Sequence, residues 1–198
     1  MACSLAARFA AAEGGVTLEI EQVDLGTKLM ANGESLYTYN PLGQVSVLLL
    51  DDGQVVTETS TVLTWIQSQS TDHQFRCESE SAEYFQMLRW LAFCATELHK
   101  QIFRVVFYPE ATDEVKDRVR GLAPARFELL NHHLSDRDFL LGEHFTAADA
   151  YLTWFFVLAE RAQVDPNAYP HLSAYAKRVF ERPSIQSVLA DDVGRLQS

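Results

Sequence analysis

The feature that most constrains this chain is a change of period near its middle. Up to residue 67 the apolar residues come in short pieces that switch between strand-like alternation and helical spacing. Beyond residue 80 they recur almost only at three- and four-residue steps. Between the two lies SQSTDHQFRCESE (residues 68–80), which is polar and without period. Such a chain is expected to fold as a small α/β unit followed by a helical bundle, with domains over 1–70 and 81–198 and a linker over 71–80.

In the first half, LAARFAAAE (5–13) predicts a helix that Gly14-Gly15 stop. VTLEIEQV (16–23) alternates Val16, Leu18 and Ile20 with Thr17, Glu19 and Glu21, so it predicts a strand with one buried face. VSVLLL (45–50) predicts a second, more fully buried strand. Asp51-Asp52-Gly53 supplies a turn into a third, from Gln54 to Thr57, and helix returns over 60–69. In the second half one long helix is expected from Ser81 to about Tyr108, with Phe85, Leu88, Leu91, Ala95, Leu98 and Ile102 on its buried face and Pro109 closing it. Thr112 or Asp113 caps the next, expected to run to about His133. Thr146 with Asp149 three residues on is a capping-box variant, which makes Asp149 a structural residue. Pro170 and Pro183 start two last short helices.

Composition removes several function classes. The 27 acidic against 16 basic residues repel phosphate backbones, and Lys116, Arg118 and Arg120 alternate with acids, so no nucleic-acid partner is expected. No stretch approaches the roughly 20 apolar residues of a membrane span, and the start (MACSLAAR) has no basic leader before its apolar residues. Cys3, Cys77 and Cys94 are odd in number and widely spaced, which makes neither a disulfide framework nor a zinc signature and fits a reducing cytoplasm. Adjacent His132 and His133 point about 100° apart on a helix and cannot share a metal.

Two sites have a physical case of their own. Cys3 lies at the mouth of a predicted helix, where free amides and the helix dipole favour a thiolate. Glu58 sits at a strand-to-helix junction beside Thr59 and Ser60; a carboxylate there can accept from a ligand ammonium while the helix amides bind an anion, or the cluster simply caps the helix. His99 lies on the long helix, where steps of two and five residues do not place Glu97 or Cys94 over it.

Six segments read together carry a resemblance. They are Ala2-Cys3-Ser4-Leu5-Ala6; Asn40-Pro41-Leu42-Gly43-Gln44-Val45 leading into Val47-Leu48-Leu49-Leu50-Asp51-Asp52-Gly53; Thr57-Glu58; Glu97-Leu98-His99-Lys100; Phe145-Thr146-Ala147-Ala148-Asp149-Ala150-Tyr151-Leu152; and Arg182-Pro183-Ser184-Ile185-Gln186. Over nearly its full length the chain resembles the bacterial beta-class glutathione transferases. The resemblance implies a thioredoxin-like N-terminal domain, an all-helical C-terminal domain, a homodimer, and glutathione as co-substrate. It implies Cys3 as the active-site cysteine and His99 as a second catalytic residue, in the stretch that reaches the ligand from the helical domain or the neighbouring subunit. It implies Lys28, Val45, Glu58, Thr59, Thr96 and Glu97 as glutathione contacts, with the Val45 backbone pairing with the tripeptide.

Four departures from the family pattern converge on that pocket. Met1 falls where the family's first strand should already have ended. That strand would lie between the segments at 16–23 and 45–50, and losing about three buried apolar side chains forfeits ~5–9 kcal/mol, comparable to the ~5–15 kcal/mol that keeps a domain folded. Either the start is set too late, or the flanking strands pair directly or with help from a partner. The family's cis Val-Pro is Val45-Ser46 here, where a trans bond is expected because a non-proline cis bond costs ~2.5–4 kcal/mol. A family asparagine corresponds to Ala92, and a pocket tryptophan to Leu158. The expectation is a glutathione transferase-like protein with a weakened site, acting on a small apolar electrophile held near Phe103, Phe107 and Trp154. The alternatives are a non-catalytic binding or regulatory protein, or a Cys3-dependent glutathione disulfide reductase.

Overall fold

The computed structural model describes residues 2–197. Helix α1 (Ser4–Gly14) ends where Gly15 turns left-handed at φ 66° and its amide bonds the Ala11 carbonyl. Two small antiparallel hairpins follow, one from β1 (Val23–Asp24) and β2 (Leu29–Met30), the other from β3 (Val47–Leu49) and β4 (Val55–Thr57). Val47 faces Thr57 and Leu49 faces Val55 across the second. Helix α2 (Thr59–Gln69) then packs on α1.

The strand expected over 16–23 is reduced to its last residue. Val16 and Leu18 still lean on the core and Thr17 and Glu19 still face solvent, so the alternation was real. No ladder forms over residues 16–21 because, among the described residues, no strand pairs with them; only Gln22 and Val23 join the first hairpin, and direct pairing with β3 does not occur. Nor is β3 fully buried: Leu49 is 54% exposed.

The helical part comprises α3 (Ala82–Phe93), a π-helical stretch Cys94–Phe103, α4 (Arg104–Val106), α5 (Asp113–Arg120), α6 (Ala123–His133), α7 (Ala147–Ala162), α8 (Pro170–Phe180) and α9 (Pro183–Gln197). The single helix expected to Tyr108 is therefore interrupted by a stretch with i→i+5 hydrogen bonding. Helix α3 presents Met87, Trp90 and Leu91 inward and leaves Phe85 exposed. The helix expected to run to His133 breaks at Gly121-Leu122, because Pro124 has no N–H to give to Arg120 and belongs to the first turn of α6.

Twelve residues of α7 are buried, so this helix is apolar on nearly all sides and forms the centre of the core. Helix α1 meets it with Leu5, Ala6, Phe9 and Ala10, and is tied to α9 by Arg8 with Asp191 at 2.5 Å and Asp192 at 2.6 Å. Arg182 bonds Glu13 at the other end of α1.

The start of α7 is fixed by Asp149. Its carboxylate accepts from the Leu140 amide at 2.9 Å, the Thr146 amide and hydroxyl at 2.9 Å each, and the Tyr175 hydroxyl at 3.1 Å. Burial raises its pKa to about 6 in spite of these four donors. Asp149→Ala orphans all four. It is expected to cost about 2–4 kcal/mol in urea denaturation at unchanged m-value, and a loss below about 0.5 kcal/mol would contradict this role.

Candidate functional site

The site is built where the loop before β3, the mouths of α1 and α2, and the inner face of α7 meet. Asn40 shapes the loop: its side-chain amide donates to the Gln44 carbonyl at 2.7 Å and its oxygen accepts from the Leu42 amide at 3.1 Å. Gly43 turns it at φ 57°, where a Cβ would fall 2.7 Å from the Tyr37 ring. This delivers Val45 and Ser46 to the end of α1.

Cys3 stands at the N-cap of α1, 7% exposed, and its thiol donates to the Val45 carbonyl at 3.0 Å. The Val45 N–H has no partner among the described residues. The Val45–Ser46 peptide is cis, not trans as the sequence predicts. Its setting is tertiary: Ser46 is buried, with its hydroxyl 3.4 Å from Thr59 Oγ1 and donating toward Cys3 Sγ at 3.9 Å.

Glu58 caps α2 with a backbone at φ 65°, a conformation that costs a non-glycine residue and that clusters at binding sites. Its side chain caps nothing, and it is exposed with no hydrogen bond or ion pair among the described residues. No side chain caps the α2 N-terminus, so the simple capping cluster is not what forms there. Thr59 is buried beside Ser46.

From the helical part, His99 Nδ1 meets the Tyr151 hydroxyl at 2.7 Å, and its ring lies edge-on to Trp154 at 4.7 Å. Burial, with the charges of Lys100 and Arg104 behind it, lowers the His99 pKa from 6.5 to about 4, so the ring is neutral at pH 7. Burial pushes the Tyr151 phenol well above its ordinary range. The nearby Cys3, Cys94 and Glu58 add to this, and hydrogen bonding from Thr59 opposes it. Cys94, in the π-helical stretch, is fully buried and its thiol is driven up by burial.

The structure thus gathers Cys3, Val45 and Thr59 at one junction and reaches His99 through Tyr151. The other expected residues make their contacts elsewhere within this chain. Lys28 stands in the β1–β2 turn at φ 64°, beside Asp24. The Thr96 hydroxyl donates to its own helix at Ala92, and Glu97 is paired with Arg126 at 2.7 Å. Phe103 is packed under Phe155 at 4.9 Å, whereas Phe107 is only half-buried below Arg161. Ser46 and Tyr151 are the residues that sequence reasoning missed. Ser46 stood only as a lost proline, and Tyr151 as one apolar position in a helix-opening motif.

A thioredoxin-like half with a thiol at the mouth of its first helix is backed by a helical half that brings an imidazole and aromatic rings. The family follows from comparison. Residues 1–69 match the glutathione S-transferase N-terminal domain and residues 93–183 the glutathione S-transferase C-terminal domain. Glutathione S-transferase GstA of Escherichia coli O157:H7 is 34% identical over 189 residues, covering 96% of this chain and 94% of that protein. Among solved structures, BphK, a bacterial transferase in a ternary complex, superposes with a TM-score of 0.91 at 34% identity. A sphingomonad glutathione S-transferase complexed with glutathione gives 0.90 at 33%. A bacterial beta-class enzyme of Sphingomonas chungbukensis gives 0.90 at 32%, and each of the three alignments covers 96% of this chain and 94% of the other. The chain belongs to the glutathione S-transferase family.

The His99 environment gives a direct prediction. Its pKa is lower folded than unfolded, so between pH 6.5 and about 4 the unfolded chain binds more protons and His99 removes stability on acidification. Asp149, raised from 3.8 to about 6, acts in the opposite sense over nearly the same window, so the net slope does not isolate His99. NMR titration of the His99 ring does: a midpoint near pH 4 is expected, and one at 6.5 or above would contradict the buried, Tyr151-bonded geometry.

Proposed function

We propose that the protein is a glutathione transferase in which the tripeptide lies across the junction of Val45, Glu58 and Thr59. The observation that carries this is a free edge. The Val45 N–H, the uncapped start of α2 and the unpaired Glu58 carboxylate flank the loop whose Val45 carbonyl accepts from the Cys3 thiol. The Val45 N–H would pair with the cysteinyl unit. Glu58 would accept from the γ-glutamyl ammonium while Thr59 and the α2 amides hold its carboxylate. Lys28 would meet the glycyl end. The tripeptide thiol would then lie by Cys3 and His99, with an apolar electrophile against Trp154 and Phe107. The glutathione in the sphingomonad relative supports the choice of ligand.

Thr96 and Glu97, which bond within their own part of this chain, would contribute across a homodimer. Domains over 1–70 and 81–198 and a cytoplasmic setting complete the proposal; no helix among the described residues is long and apolar enough to cross a membrane. Conjugation of electrophiles for detoxification is the corresponding activity. The hydroxyl beside the Cys3 sulfur favours one second reading, Cys3-dependent reduction of glutathione disulfide, in which the Cys3 sulfur bonds one glutathione, the other leaves as thiolate, and an external thiol as reductant then frees Cys3. Cys3→Ala abolishes turnover under the second reading and spares glutathione binding under the first.

Calorimetric titration tests the ligand. Saturable binding is expected below ~10 mM glutathione, with Glu58→Ala weakening it about tenfold. Absence of heat in the wild type, or an unchanged affinity in Glu58→Ala, would remove the proposal.

A further inference from the structure

The loop that resembles the family's Val-Pro carries a hydroxyl in its place, and that hydroxyl is not idle. Ser46 is 3% exposed and has two polar neighbours, Thr59 Oγ1 at 3.4 Å and Cys3 Sγ at 3.9 Å. The Cys3 S–H is spent on the Val45 carbonyl, which leaves the sulfur lone pairs to accept from Ser46. Behind Ser46 stands Thr59, 5% exposed. Thr59 lies at the start of α2 and has Ser46 as its side-chain hydrogen-bond neighbour. A row of polar groups therefore runs from α2 through the loop before β3 to the sulfur at the mouth of α1.

The row has two possible senses. In one the Thr59 hydroxyl donates to Ser46 and the Ser46 hydrogen faces sulfur. In the other Ser46 donates to Thr59 and gives the sulfur no donor. Two hydroxyls allow either, and a thiolate selects the first because a donor to an ionised acceptor makes the stronger bond.

We propose that Ser46 is a further residue of the thiol site, its hydroxyl oriented by Thr59 to donate to the Cys3 sulfur and so raise the reactivity of that sulfur toward electrophiles. The assignment rests on the reactive-thiol part of the proposed function and not on glutathione as the ligand. Thr59 is a positioning residue, since it reaches the sulfur only through Ser46.

Alkylation of the full chain by iodoacetamide, with the labelled cysteine located by peptide mass, tests it without any glutathione. The Cys3 sulfur attacks the reagent's methylene, a C–S bond forms, and iodide leaves with the electron pair of the broken C–I bond. Removing the donor leaves the ionised sulfur with one hydrogen bond fewer. Ser46→Ala should therefore slow Cys3 labelling about three- to tenfold. Ser46→Thr, which keeps the hydroxyl, should restore the rate to within about twofold. Thr59→Val should slow the wild type but add nothing on the Ser46→Ala background, the signature of residues acting through one route. Equal rates in wild type and Ser46→Ala, including both being unmeasurably slow, would overturn the proposal. So would a Ser46→Thr as slow as Ser46→Ala, or the same fold-loss from Thr59→Val in both backgrounds. A wild type that binds no glutathione but keeps the Ser46 effect would instead remove the tripeptide reading alone.

Discussion

The close packing of α1 is the constraint on which the rest depends. Ala6, Ala7, Ala10 and Ala11 are small enough for α1 to lie against α2 and α7, and Leu5 and Phe9 fill the space between. Burying those two side chains contributes about 1.5–3 kcal/mol each. The ion pairs of Arg8 and Glu13 with α9 and Arg182 fix the helix along its axis. Cys3 at the mouth of α1 is therefore placed by both halves of the chain at once. Its thiol reaches the Val45 carbonyl because the helix cannot shift.

Once that packing is set, the polar groups it encloses must find partners inside the protein, since an unpaired buried hydroxyl or imidazole costs about as much as a lost hydrogen bond. Ser46, Thr59, Tyr151 and His99 answer that demand together. Each takes its neighbour from a different element: the loop before β3, α2, α7 and the π-helical stretch. The same environment that buries His99 also keeps it neutral, so it serves as a hydrogen-bonding group at physiological pH. Asp149 solves the equivalent problem at the start of α7, with four donors on one carboxylate.

Elements defined by local chemistry could be read from the sequence. The Gly14-Gly15 stop, the Thr146–Asp149 capping box and the two helices opening at proline all form at the positions their residues dictate. What failed was local preference set against tertiary context. The alternation at Val16 to Ile20 promised a strand, but a strand needs a neighbour, and neither hairpin supplies one. The uninterrupted period from Ser81 to Ile102 concealed a change of helix type. At the site, Cys3 and Glu58 were visible because helix termini announce their chemistry. The trans preference at Ser46 was overruled by a buried setting that no single sequence displays. Tyr151 was hidden because an apolar helical position and a hydrogen-bonding one look alike until the partner, His99, is in place 52 residues away.

The central claim is that the edge formed by Val45, Glu58 and Thr59 is a shelf for a tripeptide. Amide chemical-shift mapping during a glutathione titration tests it most directly. The account predicts that the amides of Val45, Glu58, Thr59 and Ser60 move together along one binding curve, with the His99 ring responding in parallel. Shifts confined to other surfaces, or none at saturating glutathione, would contradict it.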